Sequence, residues 1–174
     1  MNKPSLFALL MLSMPVCAES NLMLGAGGGD GADSYHAGLE WRQAWRSLGS
    51  GHLWYGVGIN GSYWESDDDD LMQLSLIPML HYRFEHYSVE HHRFEHNGGW
   101  TPFLLAGVGP AWISQTRLGS RDLSSRFQFS SRVGVGVAVA HHSLALEGWH
   151  LSNGGIKEPN DGISSWNIIY RYDF

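Results

Sequence analysis

The sequence predicts an all-β protein, an eight-stranded antiparallel transmembrane β-barrel, on three observations. Eight segments of roughly ten residues alternate apolar with small or polar side chains and are separated by turns, the pattern of a barrel that faces lipid on one side and its own lumen on the other. Glycine and aromatic residues are abundant, with 22 Gly, 8 Trp, 7 Tyr and 7 Phe. After the first residues no run approaches the ~20 consecutive apolar residues that a spanning helix requires.

The N-terminus is read apart from the fold. Lys3 precedes an apolar run from Leu6 to Val16, and Val16-Cys17-Ala18 stands before Glu19. A short charged region, an apolar core and a small-residue cleavage site make residues 1–18 an expected signal peptide and residues 19–174 the barrel domain. A lipoprotein would use Cys17 as acceptor, but Val16 in front of it fits that reading poorly. Cys17 is the single cysteine, so the exported chain would hold no disulfide, and packing or sheet closure must supply the stability. Net charge is −6 with the arginines scattered, which argues against a nucleic-acid partner.

The strands follow in order. The first spans Asn21 to Gly29 and the second Tyr35 to Trp45, whose Trp41, Arg42 and Trp45 suit a membrane interface. In the third, Leu53 to Trp64, Tyr55, Val57, Ile59, Gly61 and Tyr63 share one face opposite Gly56, Gly58, Asn60 and Ser62. The fourth, Leu71 to Phe84, contains Pro78, which removes a ladder hydrogen bond and predicts a local bulge. Thr101 to Ser114 is the fifth. In the sixth, Arg126 to Ala140, Val133, Val135, Val137 and Val139 alternate with Gly134, Gly136, Ala138 and Ala140. Small inward residues fit a narrow barrel filled by side chains. Ser143 to Ser152 and Ser165 to Phe174 complete the eight. The last ends with Ile168, Tyr170, Tyr172 and Phe174 on one face, which looks like the C-terminal signature of outer-membrane barrels.

With both termini periplasmic, the loops after strands one, three, five and seven are extracellular. The stretch W-H-L-S-N-G-G-I-K-E-P-N-D-G, Trp149 to Gly162, ends strand seven and forms its loop. His150 and Ser152, two residues apart on a strand, share a face, so a base and a potential nucleophile lie side by side at the height of the outer leaflet. Glu147 belongs to the opposite face and should avoid hydrocarbon, which turns the His/Ser face outward.

This stretch resembles the PagL family of outer-membrane lipid A 3-O-deacylases through His150, Ser152, Asn153, Gly154, Gly155, Pro159, Asn160 and Gly162. The Gly-rich strand from Pro102 to Pro110 and the aromatic C-terminus extend the likeness over the second half of the chain. The resemblance implies a serine esterase that modifies lipopolysaccharide in the outer membrane, by hydrolysing the 3-linked acyl ester of lipid A. Ser152 would be the nucleophile, His150 the general base and acid, and Asn160 the oxyanion donor, with Asn153 and Gly162 as motif support. No metal or cofactor is implied, and a homodimer is. The family places a glutamate two residues after the last motif glycine; this sequence has Ser164 there. Asp161 and Glu158 are the possible substitute acids.

Two alternatives stand beside this reading: a structural or adhesive barrel of weak or no activity, and a phospholipid acyl hydrolase of the same fold. Asp67 to Asp70 form a carboxylate run read as a solvated loop tip rather than a cation site. Five histidines between His81 and His96 are read as an extended periplasmic hairpin rather than a metal site. The tryptophans are taken as interface anchors.

Overall fold

The computed structural model describes residues 18–84 and 99–174. Eight long strands close into a barrel: β1 (Glu19–Gly29), β2 (Ala32–Leu48), β3 (Gly51–Glu65), β4 (Asp70–Phe84), β5 (Trp100–Ile113), β8 (Phe127–Val139), β9 (His142–Ser152) and β10 (Ile163–Asp173). Each pairs antiparallel with its sequence neighbour, and β1 closes on β10 from Asn21↔Asp173 to Gly28↔Trp166. Closure pairs both edges that the linear sheet would leave open. Two short strands not expected from the sequence, β6 (Arg117–Leu118) and β7 (Arg121–Asp122), form a ribbon in the loop between β5 and β8.

Alternation decides what each strand buries. Leu22, Leu39, Ile59, Leu74, Val133 and Leu146 point outward and form the apolar belt that a bilayer covers. Among the described residues no helix is long and apolar enough to cross a membrane. Inward residues are more polar than the small-residue pattern suggests. Glu40, Arg132, Glu147 and Arg171 are fully or almost fully buried in the lumen. Arg132 donates to Glu40 at 2.6 Å, and Arg171 bridges Glu40 at 2.9 Å and Glu147 at 2.5 Å. Towards the extracellular mouth an apolar plug takes over, formed by Trp64, Leu71, Ile113, Leu123, Leu151 and Ile163. Side chains thus fill the lumen, and the outer wall is the accessible surface of the strands.

Pro78 does not bulge β4. Its register with β3 is continuous, with Pro78 opposite Val57. On the other edge the β4–β5 ladder stops after Ser75↔Ala111 and resumes in the same register at Met79↔Gly107. Pro78 and Pro110 both fall in this gap, where neither has an N–H to donate, so bonds are lost without an inserted residue. The register shift lies instead in β2, between Ala44 and Arg46, at the exposed interface residue Trp45. His81 is buried in the lumen beside Met79; the rest of the histidine tract lies outside the described residues. Asp67 to Asp69 are exposed at the β3–β4 turn, and no cluster of His, Cys, Asp and Glu suited to a metal occurs among the described residues.

Candidate active site

The site is built on β9. Its inward residues are locked: Glu147 accepts Arg171, and Trp149 Nε1 donates to Glu147 at 3.0 Å while its ring lies under Arg132. Because the strand period is two, fixing Glu147, Trp149 and Leu151 inward turns Gly148, His150 and Ser152 out. His150 is exposed and Ser152 half-buried on that outer face.

The flanking strands place a row of hydroxyls at the imidazole. His150 pairs across to Ser131 of β8 and to Ser164 of β10. Ser164 Oγ lies 3.0 Å from His150 Nδ1. If Nδ1–H donates to Ser164, Nε2 keeps the lone pair that a general base needs. The next row towards the membrane centre is Val133, Gly148 and Trp166, followed by Val135, Leu146 and Ile168. Polar becomes apolar in one step, which puts His150 at the boundary between headgroups and hydrocarbon. A groove of about 310 Å³ runs along this wall, lined by Val133, Gly148, His150, Ser164 and Trp166 among others.

Ser152 Oγ makes no hydrogen bond among the described residues, so the hydroxyl is uncommitted and shares only its face with His150. Such bonds often tighten only once substrate is bound. The loop that follows is organised by Asn153, which is buried. Its Nδ2 donates to Leu123 O and Lys157 O, and its Oδ1 accepts Gly155 N–H. Asn160 folds back so that its Oδ1 accepts Asn153 N–H at 3.0 Å. That bond fixes the amide beside Ser152 and leaves its Nδ2 hydrogens for another acceptor. Gly162 has φ 61°, and a Cβ there would come within 2.9 Å of His150 Cε1. Only glycine fits both the left-handed backbone and the imidazole edge.

Among the described residues neither Asp161 nor Glu158 is bonded to the imidazole. Asp161 Oδ2 accepts Asp122 N–H at 2.7 Å and is thereby held to the ribbon. Glu158 is exposed on the loop. Two residues the sequence did not single out, Asp30 and Arg121, stand closer to the chemistry. Asp30 Oδ2 accepts Ser164 N–H, and Arg121 pairs with Asp30 and donates to the carbonyls of Asp161 and Gly162. The ribbon carrying Arg121 is braced at Asp122, whose carboxyl is held below its usual range, chiefly by Ser124 N–H and further by Arg117.

This geometry accompanies a broad likeness to known proteins. Residues 31–173 match the family model described as lipid A 3-O-deacylase (PagL). The chain belongs to the PagL family. It is 33% identical over 159 residues to the lipid A deacylase PagL of Pseudomonas aeruginosa, covering 88% of this chain and 85% of that protein. The lipid A deacylase PagL of Bordetella bronchiseptica is 29% identical over 124 residues, 67% of this chain and 60% of that one. The crystal structure of the outer membrane enzyme PagL superposes with a TM-score of 0.76 at 31% identity, covering 87% of this chain and 98% of the other. Membership of the PagL family accounts for the outer-membrane barrel and the β9–β10 motif together. The immediate partner of the imidazole, the Ser164 hydroxyl, is neutral.

Proposed function

We propose that this chain removes the 3-linked acyl group of lipid A in the outer leaflet, with Ser152 as nucleophile and His150 as base. The observation that carries this is the outward His150–Ser152 face at the polar to apolar boundary, with His150 Nδ1 held by Ser164. Ser152 Oγ attacks the ester carbonyl and gives its proton to His150 Nε2. The carbonyl oxygen becomes an oxyanion, towards which Asn160 Nδ2 donates. Collapse breaks the ester C–O bond, and His150 returns the proton to the 3-oxygen of the sugar, leaving acyl-Ser152. Water, deprotonated by the same imidazole, then releases the fatty acid and restores the serine. No step asks for a metal.

β1 begins at Glu19, the first residue after the expected cleavage point. We read residues 19–174 as the exported barrel on that basis. Mass spectrometry of lipid A from cells expressing the chain tests the activity. The expected result is loss of one 3-linked hydroxyacyl mass, abolished by Ser152→Ala while the barrel still migrates as a heat-modifiable band. Unaltered lipid A from an inserted barrel would reject the deacylase reading, and loss of acyl chains from phospholipid instead would move the substrate.

A further inference from the structure

A single glutamate in a triad performs two tasks, orienting the imidazole and offsetting the positive charge it gains. Ser164 can perform only the first, because a hydroxyl carries no charge. The carboxylate that stands behind Ser164 is Asp30, at the tip of the β1–β2 hairpin. Asp30 and Gly31 both have positive φ, 54° and 79°, in the two-residue turn that Asp-Gly favours. The turn aims the Asp30 side chain at the start of β10, where Oδ2 accepts Ser164 N–H at 2.7 Å. The same residue's Oγ is 3.0 Å from His150 Nδ1.

We propose that Asp30 is a positioning residue for the deacylation, sharing with Ser164 the work of the family glutamate. Ser164 holds the imidazole through its hydroxyl. Asp30 fixes the Ser164 backbone and places a negative charge one residue behind the cation that forms as Ser152 loses its proton. The proposal rests on the Ser152 and His150 reading above. Arg121 damps this charge without cancelling it, since its guanidinium is shared with the carbonyls of Asp161 and Gly162. Of the other carboxylates on this loop cluster, Asp161 is committed to Asp122 N–H, Asp122 to Arg117 and Ser124 N–H, and Glu158 is exposed beside Lys157.

Asp30→Asn isolates the charge. Asparagine tolerates the left-handed turn and keeps an oxygen for Ser164 N–H, so the hairpin should persist. The substitution is made in the parent chain and in Ser164→Glu, with kcat and KM measured on lipid A in detergent micelles. In the parent, kcat should fall about tenfold with KM unchanged, because the missing interaction is made in the transition state. In the Ser164→Glu background the loss should shrink to less than about twofold, because a carboxylate then contacts the imidazole itself. Equal losses in both backgrounds would make Asp30 a brace for the hairpin and overturn the proposal, as would an unchanged kcat in the parent. The rate of Ser152 labelling by a fluorophosphonate separates this result from failure of the lipid A reading. Slower labelling of Asp30→Asn than of the parent supports the proposal whatever the natural substrate; equal labelling, or none in the parent, overturns it.

Discussion

The two sides of β9 solve opposite problems within a few ångströms. Inward, Glu147 and Trp149 are buried, and the Glu40, Arg132, Glu147 and Arg171 charges are paired by short bonds. Outward, His150 is open to the membrane surface and the Ser152 hydroxyl is uncommitted. A buried ion network in a low dielectric is strong when complete and expensive when broken. A reactive pair must stay incomplete until substrate arrives. Strand alternation lets one segment carry both, so the lumen network holds the pleat from which the His150 and Ser152 face projects.

The largest effect should come from breaking the lumen. Arg171→Met leaves Glu40 to Arg132 alone and Glu147 with only the Trp149 indole and a 3.9 Å contact to Arg132, and removing one member of a buried ion network typically costs about 3–5 kcal/mol. Urea unfolding of the barrel in detergent should show that loss, together with a lower temperature for the gel mobility shift. Ser152→Ala should leave both measurements unchanged. Equal destabilisation by the two substitutions would dissolve the contrast between a rigid inside and a free outside.

Gly162→Ala sharpens the contrast from the outer side. The added methyl has to escape His150 Cε1 at 2.9 Å and sit at φ 61°, so the imidazole or the loop must shift. A displaced base should lower kcat by roughly tenfold to a hundredfold. The left-handed strain should cost only about 1 kcal/mol of stability. If the stability loss matched that of Arg171→Met, the loop would belong to the scaffold and not to the site.

The sequence revealed the alternation and hid the partners. Eight strands, their outward faces and the placing of His150 beside Ser152 all follow from a period of two, which is a local property. The lumen network did not follow. Glu40, Arg132, Glu147 and Arg171 lie on β2, β8, β9 and β10, and their meeting depends on registers set by the closed barrel. Only the aversion of Glu147 to hydrocarbon was legible. Pro78 was legible as a lost donor but not as a gap, because the outcome depended on Pro110 facing the same stretch of seam. At the site, the departure at Ser164 was visible, whereas Asp30 read only as half of an Asp-Gly turn. Its contact with Ser164 spans 134 positions of sequence and needs closure of β1 on β10.

The smallest effects should come from the groove below His150, where shape and not charge is at stake. Gly148 forms its floor, and a Cβ there would meet the Trp166 ring at 3.3–3.6 Å. Trp166 is 64% exposed on the outer wall, so its ring forms a wall and is not part of the packed interior. An acyl chain descending from the ester at Ser152 would pass between this wall and Val133. Gly148→Val should therefore crowd the chain and raise KM, while Trp166→Ala should remove a wall and weaken the preference for one chain length. A buried methylene is worth about 0.8 kcal/mol, so changes of roughly fourfold in kcat/KM per methylene are the expected scale. The measurement is kcat/KM for lipid A species whose 3-linked chains differ by two carbons. Stability should be unaffected, since both residues face lipid. Unaltered chain-length profiles in both variants would show that the scissile chain runs elsewhere on the wall, and the groove would then have no part in specificity.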